Sequence, residues 1–285
     1  MKNTFLKISV AMIAALFSQM AVAGDVLVQP ATIQIRSLSS NIQLENLEAT
    51  YSALCQYRSG IIFPESKYCG SVNLTVPVSA DGTIRLPALE KVSGLHGRKT
   101  GNYRVSVSVH PKNQTPQDQE YFFTLSAYNE EAFRALENFR DVIYIGRLEG
   151  AALNITADRK TVLGGELSRL PNADLVITVN VKSENRGLQN PLLSNQFGNN
   201  IMSIYNRQNG NGTVDQNLLN ARSVEIKGGN FAFIGNPADA TISLNVTLYS
   251  TEKYDRKPLY EKTIVGKIDS SFLKDNRNIE LEKVK

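Results

Sequence analysis

Cysteine has the widest chemistry of any residue type in this chain, and it occurs twice, at Cys55 and Cys69. In an oxidising compartment such a pair forms a disulfide. The intervening segment contains Gly60 and Pro64, as expected for a loop that joins two strands. We therefore predict a Cys55–Cys69 bridge. A redox pair or a metal site fits less well, because the spacing is not Cys-x-x-Cys and the two histidines supply no ligand cluster.

The two histidines, His96 and His110, are the only side chains that could serve as the base of a serine triad. His96 lies in a Gly-Leu-His-Gly stretch, which is typical of a loop with an exposed histidine. His110 falls on the polar face of a predicted strand directly before Pro111, which favours a solvated strand end. The sequence has no Gly-x-Ser-x-Gly elbow, phosphate-binding glycine loop or His-Glu-x-x-His motif.

Three short segments match the signatures of penicillin-recognising serine enzymes by letter: Lys99–Gly101, Ser183–Asn185 and Ser271–Lys274. Their order is the reverse of that family's order. In that family the Ser-x-x-Lys segment begins a helix early in the catalytic domain, whereas here it lies near the carboxyl end behind a predicted strand. We interpret the matches as coincidence and predict no catalytic residue. A pair of carboxylates for glycoside hydrolysis stays an alternative, because the distance between two such groups is set by the fold and cannot be read from the sequence.

Alternation of apolar and polar residues with a period of two dominates the sequence and predicts half-buried strands. It is clearest in Val72–Val78, Tyr103–Val109, Leu175–Val181 and Ile242–Leu248. Shorter candidate strands are Val26–Val28, Thr32–Arg36, Thr83–Leu86, Tyr121–Leu125, Val142–Ile145, Val224–Ile226, Phe231–Ile234 and Leu259–Val265. Strands in such number, separated by Gly, Asn and Pro turns, are typical of a β-sandwich.

One segment with a helical pattern interrupts the strands. Glu130–Arg140 follows Asn129, a residue type that caps helices, and it has acidic residues in its first turn. It predicts a helix at the junction of two domains. A weaker pattern at Thr161–Leu170 contains two glycines, each costing about 1 kcal/mol relative to alanine, so a turn is the alternative there.

The stretch Ser183–Asn220 is rich in Asn and Gln and lacks sustained periodicity. It predicts a long polar insertion between strands. Long loops in compact domains often carry function, so the insertion is a candidate contact surface; an insertion that contacts nothing is the alternative. Within it, Asn209–Asp215 lacks the spaced acids and closing Glu of a calcium loop, so no metal site is predicted.

The first 23 residues have the parts of a secretory signal peptide. A basic start precedes the apolar run Ile8–Phe17, and small residues occupy Ala21–Ala23. This pattern predicts cleavage between Ala23 and Gly24 and export to the periplasm or beyond, and the short basic leader is typical of bacteria. The run is too short for the roughly 20 residues of a membrane-spanning helix, and we expect no transmembrane segment in the mature chain.

Composition restricts the partners. The formal net charge of +4 falls to +2 when Lys2 and Lys7 leave with the leader, and the remaining charges are scattered, which disfavours nucleic acid. There is no tryptophan, the usual stacking residue of sugar-binding modules. Tyr249, Tyr254 and Tyr260 could replace it, although strand tyrosines are more often packing partners, so a sugar-binding module stays an alternative.

Two stretches resemble known families. Val76–Leu89, reading VPVSADGTIRLPAL, resembles the strand, Asp-Gly turn and strand of carboxypeptidase-regulatory or transthyretin-like sandwiches, which implies a scaffold without chemistry. Ala173–Val181 and Ile242–Ser250 are similar to strands in the periplasmic part of curli-secretion-channel proteins. The lipid-bearing cysteine of that family has no counterpart here. We infer membership of neither family.

The sequence therefore predicts a mostly β protein with an antiparallel sandwich, Ig-like or transthyretin-like, over residues 24–128. A helix and strand junction at 129–150 connects it to a second, smaller strand-rich domain at 151–285. We expect an exported, non-enzymatic component of the bacterial envelope that contacts a protein or an envelope polymer through strand edges or the insertion 183–220. The alternatives are a secreted hydrolase of cell-wall polymer or glycan and an outer-membrane assembly or secretion accessory. No cofactor and no nucleic acid are expected.

Overall fold

The computed structural model describes residues 26–59, 65–91, 102–114, 121–158, 160–161, 173–182, 202–207, 224–226, 228–250 and 257–285. Within these residues the chain is mostly β, with several sheets and two helices. The predicted mostly β class is confirmed. The predicted cleavage site at Ala23 and Gly24 lies outside the described residues, as does His96.

The strands are β1 Val26–Val28, β2 Ala31–Ser37, β3 Leu47–Ser59, β4 Glu65–Pro77, β5 Thr83–Leu86, β6 Leu89–Glu90, β7 Asn102–Pro111, β8 Phe123–Ala127, β9 Val142–Leu148, β10 Ala151–Ala157, β11 Lys160–Thr161, β12 Ala173–Lys182, β13 Met202–Arg207, β14 Val224–Ile226, β15 Gly229–Ile234, β16 Thr241–Ser250, β17 Lys257–Lys267 and β18 Asn278–Lys283. The helices are α1 Glu130–Glu137 and α2 Phe272–Asp275, and Leu44–Asn46 form a single 3₁₀ turn.

Three larger sheets organise these strands. Sheet A has the order β4-β3-β7-β8 and is antiparallel throughout. Sheet B has the order β15-β9-β2-β5, in which β2 and β9 run parallel. Sheet C has the order β11-β10-β18-β17-β16-β12-β13, and β14 also pairs with β10. Strands β1 and β6 form a separate pair.

Sheets A and B contribute to one hydrophobic core. Successive side chains of a strand leave opposite faces of its sheet, so every second residue points inward. Sheet B supplies Ile33, Ile35, Ile84, Ile143 and Ile145, and sheet A supplies Ala49, Tyr51, Val105, Val107, Val109 and Leu125. Phe133 and Leu136 of α1 pack into the same core.

The opposite face of β9 and β15 belongs to a second core, shared with sheet C. The rings of Tyr144 and Phe233 stack with centroids 5.5 Å apart. In the next pair of the register, the Phe231 ring lies against Gly146. Sheet C supplies Leu175, Ile177, Val179, Ile242, Leu244 and Val246 to this core. Both faces of these two strands therefore contribute side chains to a core, although the sequence places β9 in the predicted junction and β15 in the predicted second domain.

Helix α1 begins where the sequence predicts. The Asn129 side chain accepts a hydrogen bond from the backbone N–H of Ala132 at 2.8 Å, and acidic residues occupy the first turn. The helix ends at Glu137, three residues earlier than expected, because the Asn138 N–H and side chain both donate to the Arg134 carbonyl and close the last turn.

The Asp-Gly turn between β4 and β5 is also confirmed. Gly82 has a φ of 83°, a conformation that favours glycine, and its N–H donates to the Ser79 carbonyl. The Asp81 carboxylate accepts a hydrogen bond from the Thr83 backbone N–H at 3.0 Å, which lowers the pKa of that carboxyl. The turn sets the register of β5.

Six strands were not predicted from the sequence: β3, β6, β10, β11, β13 and β18. The inward positions of β3 and β10 do alternate, but several are alanine, a residue with low strand propensity, as at Ala49, Ala53 and Ala151. Within the predicted insertion, Met202–Arg207 forms a strand paired with β12, and the remainder lies outside the described residues. Of the weak helical pattern at Thr161–Leu170, only the first residue is described, and it ends β11.

We expect Gly146→Ala to destabilise the fold. A Cβ at this position would lie 2.2 Å from Cζ of Phe231, a buried ring that cannot move aside without disturbing the second core. Overpacking of this kind costs about 1–3 kcal/mol of unfolding free energy, which urea denaturation measures. Ala152→Ser, at an exposed position of β10, is the control and should change stability by less than about 0.5 kcal/mol. Equal stability of the two variants would contradict the packing.

Candidate binding surface

The outward face of sheet A carries two rows of small polar side chains. The inward positions of β3 and β7 are buried in the first core, so the alternate positions point away from it. The strand register aligns these positions across all four strands. One row is Asn73, Ser52, Ser106 and Ser126, and the next is Thr75, Thr50, Ser108 and Thr124. Asn73 and Thr75 are exposed and Ser126 is buried, whereas the other five side chains are half-buried. We name these eight residues the hydroxyl platform.

Hydrogen bonds between strands hold the platform side chains in place. The Oγ atoms of Ser52 and Ser106 lie 2.8 Å apart, and the Ser108 Oγ lies 2.9 Å from the Thr124 Oγ1. Such cross-strand pairs stabilise a sheet and fix rotamers on its face. A hydroxyl has one donor and two acceptor sites, so each of these bonds uses only part of its capacity. The platform can therefore form hydrogen bonds with a molecule placed on it.

Exposed tyrosines border the platform. The exposed fractions are 62% for Tyr68, 57% for Tyr128 and 44% for Tyr121. The Tyr68 hydroxyl donates to the Ser71 Oγ at 2.7 Å, beside the first row. The Arg104 guanidinium lies 5.2 Å from the Tyr128 ring centroid, within the range of a cation–π contact. At the opposite end, Tyr121 meets the buried His110 ring edge-on at 5.6 Å.

Charge is confined to the two ends of this face. The eight platform positions are Asn, Ser or Thr, whereas charged residues make up 20% of the chain. Arg104 lies at the Tyr128 end, and at the other end the Glu48 carboxylate lies 4.0 Å from the His110 Nδ1. Within the described ranges, no three His, Cys, Asp or Glu residues gather as a metal site would require.

The two cysteines lie beside the Tyr68 end of the platform. Their sulfur atoms are at disulfide distance and their Cα atoms are 5.1 Å apart, as the sequence analysis predicted. Strand β7 pairs with β3 as far as Gln56, whereas β3 and β4 continue to pair with each other as far as Ser59 and Glu65. The bridge therefore clamps the hairpin near the point where it extends past β7.

His110 does not occupy the solvated position that the sequence analysis expected. It is 2% exposed, its Nε2 lies 2.9 Å from the Thr50 Oγ1, and its Nδ1 lies 2.9 Å from the Pro111 carbonyl. Polar partners and the Tyr121 ring bury it, so it supports the sheet. The location of His110 directly before Pro111 did not indicate this burial. The ring that covers His110 belongs to Tyr121, which precedes a different strand, β8.

The tyrosine group suggested near the last strand pair does not form a stacking surface. Tyr260 packs against the second core, and its hydroxyl donates to the Asp158 carboxylate at 2.7 Å, which raises the pKa of Tyr260. Tyr249 is half-buried on β16, and Tyr254 lies outside the described residues. The exposed tyrosines Tyr68, Tyr121 and Tyr128 instead lie in or directly beside the strands of sheet A.

A shallow groove of about 320 Å³ lies beside the end of α1. Its lining includes the carboxyl groups of Glu137 and Asp141 and the Arg140 side chain. Glu137 already accepts a hydrogen bond from the Gln29 N–H at 2.8 Å. Both carboxyls come from one short stretch of chain, whereas the hydrolase alternative calls for acidic residues that converge from distant parts of the sequence.

The shifted pKa values have local causes. The Ser271 backbone N–H donates to Asp269 and lowers the pKa of its carboxyl, as Thr83 does for Asp81. Burial, and secondarily the Glu137 charge, raises the pKa of Tyr51 within the first core. These groups lie in turns and in the core.

Comparison with known proteins adds no functional assignment. No protein-family model matches this sequence, and the curated proteins include no match to it. Neither of the two helices in the described part of the chain has the length and apolar composition that crossing a bilayer requires. The arrangement on sheet A is therefore the feature of this molecule from which a function can be argued.

We expect loss of the Cys55–Cys69 bridge to destabilise the protein. In the chain-entropy model a closed loop of about 15 residues contributes roughly 3 kcal/mol, so the double variant Cys55→Ser with Cys69→Ser should unfold at lower urea concentration by that amount. Reductant should shift the unmodified protein by a similar amount and leave the double variant unchanged. A double variant as stable as the oxidised protein would show that the bridge does not contribute.

Proposed function

We propose that this chain is an exported, non-enzymatic binding protein of the bacterial envelope and that the hydroxyl platform is its contact surface. The observation that carries the proposal is the platform itself, a broad uncharged polar face bordered by three exposed tyrosines. Aromatic residues are enriched at interfaces, and exposed ones gathered around one face indicate a surface that meets a partner. The partner is a protein or an envelope polymer.

The proposal includes a sandwich, Ig-like or transthyretin-like, for the amino-terminal part, and a second strand-rich domain for residues 151–285. The sandwich is antiparallel except for the β2–β9 pair, and β15 from the second part joins its sheet B. The shared core of sheets A and B supports the sandwich, since two sheets that bury their inner faces against each other are its defining feature. The second core covers the other face of β9 and β15 in sheet B, whereas an antiparallel sheet such as sheet A can leave one face to solvent. The platform is the outer face of sheet A.

Export is proposed from the leader and from the cysteines. Residues 1–23 have the parts of a signal peptide, and a cysteine pair at disulfide distance suits an oxidising compartment. The mature protein would be periplasmic or secreted. The non-enzymatic role is supported by the groove at Glu137 and Asp141, where the carboxyls share one chain segment instead of converging on a substrate.

We expect the chain isolated from its host envelope to begin at Gly24. Signal peptidase requires the small residues at positions 21 and 23, so Ala23→Arg should block processing and leave the full-length precursor. Mass spectrometry of the intact protein distinguishes the processed form from the full-length precursor. Ala31→Arg would not be a suitable control, because the Ala31 side chain is buried. Gln29→Arg, outside the processing site, should be cleaved normally. An unprocessed protein in the cytoplasmic fraction would overturn the export proposal.

We expect a positive charge in the platform to weaken binding. Thr75→Lys places a lysine at an exposed platform position of β4, where a bound partner would have to desolvate the ammonium group. Retention of the mature protein, residues 24–285, on the host's envelope fraction should fall by at least about tenfold. Thr263→Lys is the matched control, because it adds the same charge at an exposed threonine of sheet C. Equal retention of both variants would overturn the platform as contact surface.

A further inference from the structure

We propose that the hydroxyl platform binds a neutral polysaccharide chain and that Tyr68 and Tyr128 stack on its sugar rings. This inference rests on the proposed function, because it names the partner of the same surface. The sugar-binding alternative considered from the sequence used other tyrosines, Tyr249, Tyr254 and Tyr260, of which Tyr249 and Tyr260 lie in sheet C.

The hydrogen-bonding chemistry of the platform matches that of sugars. Sugar hydroxyls both donate and accept, as do the Asn73 amide and the six platform hydroxyls other than that of the buried Ser126. Neighbouring platform side chains are spaced about 4.8 Å across the strands and about 7 Å along them, which presents a regular array instead of a single polar point. A ligand with hydroxyls repeated along its length can meet several of these side chains at once.

Two exposed aromatic rings border the platform at one end. Tyr68 is on β4 and Tyr128 directly follows β8, so they stand at opposite edges of sheet A near the same end. Three strand spacings separate those edges, about 14 Å. A tyrosine ring has a negative face, which attracts the C–H groups on the flat side of a sugar ring. Because one sugar ring is smaller than this separation, engaging both tyrosines requires a chain of sugars.

The platform carries no charged side chain. A binding site for a polyanion would place lysines and arginines among the contact residues, and a site for an apolar protein surface would place large aliphatic residues there. The two platform rows contain neither, and Arg104 at the end of the face is already directed at the Tyr128 ring. A partner that carries hydroxyl groups and no charge can bind this surface without burying an unpaired charge.

The test uses the full mature chain, residues 24–285, and two treatments of the host's envelope fraction. Periodate cleaves the vicinal diols of sugars, and protease removes proteins. The variants are Tyr68→Ala, Tyr128→Ala and the double variant, with Val265→Ala as the control at an exposed residue of β17 in sheet C. Circular dichroism and thermal unfolding check that each variant folds, as expected for exposed side chains. Affinity electrophoresis through gels containing a soluble β-glucan, an α-glucan or a galactomannan provides defined neutral probes, and alginate provides a charged one.

We expect retention to disappear after periodate, to survive protease, and to fall about two- to tenfold for each Tyr→Ala change while Val265→Ala behaves as the unmodified protein. Phenylalanine at both positions should recover most of the loss, because the ring is restored. Retardation should occur with at least one neutral gel and not with alginate.

Other outcomes separate the two proposals. If platform-dependent retention of the mature chain survives periodate and is lost with protease, the polysaccharide proposal is overturned. A protein-binding function would then remain. Periodate-sensitive retention that is unchanged in the double Tyr→Ala variant would overturn the stacking role. No retention of the unmodified chain on untreated envelope would overturn the proposed function itself.

Discussion

Strands β9 and β15 supply apolar side chains to two hydrophobic cores, one on each face, and the rest of the structure depends on this constraint. Ile143 and Ile145 point into the core shared by sheets A and B, while Tyr144 and Phe233 stack in the core shared with sheet C. Gly146 is required there because the Phe231 ring occupies the space of a side chain. The two cores therefore share these strands as one common wall, and a charged residue at a buried position on either face would cost free energy.

Sheet A depends on that wall through the first core. Its inward residues cover sheet B, and period-two geometry then turns every alternate residue outward. The long strands β3 and β4 make the outward face broad, and the cysteine pair secures their hairpin beside Tyr68. A shift of one residue in the pairing of β3 would bring its hydroxyl-bearing residues into the core, so core packing also sets the register of the platform.

The proposed function is a property of a surface. Within the described residues, the groups with shifted pKa values lie in turns, in the core or, as Tyr260, beside the second core, and the groove beside α1 is lined by two acidic residues from one chain segment. The hydroxyl platform instead combines many weak hydrogen-bonding sites with aromatic rings at its border. Binding of that kind gains affinity from repetition along an extended partner, because no single contact is strong.

The sequence by itself determined the strand content, the capped helix after Asn129, the Asp-Gly turn and the pairing of Cys55 with Cys69, because each depends on local periodicity, local backbone preference or the chemistry of a single pair. It indicated neither β3 nor β10, whose alanines give a weak strand signal until packing against large partners makes them suitable. Single segments showed polar positions at Ser106 and Ser108 but not that four strands would align them into rows bordered by Tyr68 and Tyr128. Only the tertiary structure decided that surface, since strand order and register arise from contacts between residues distant in sequence.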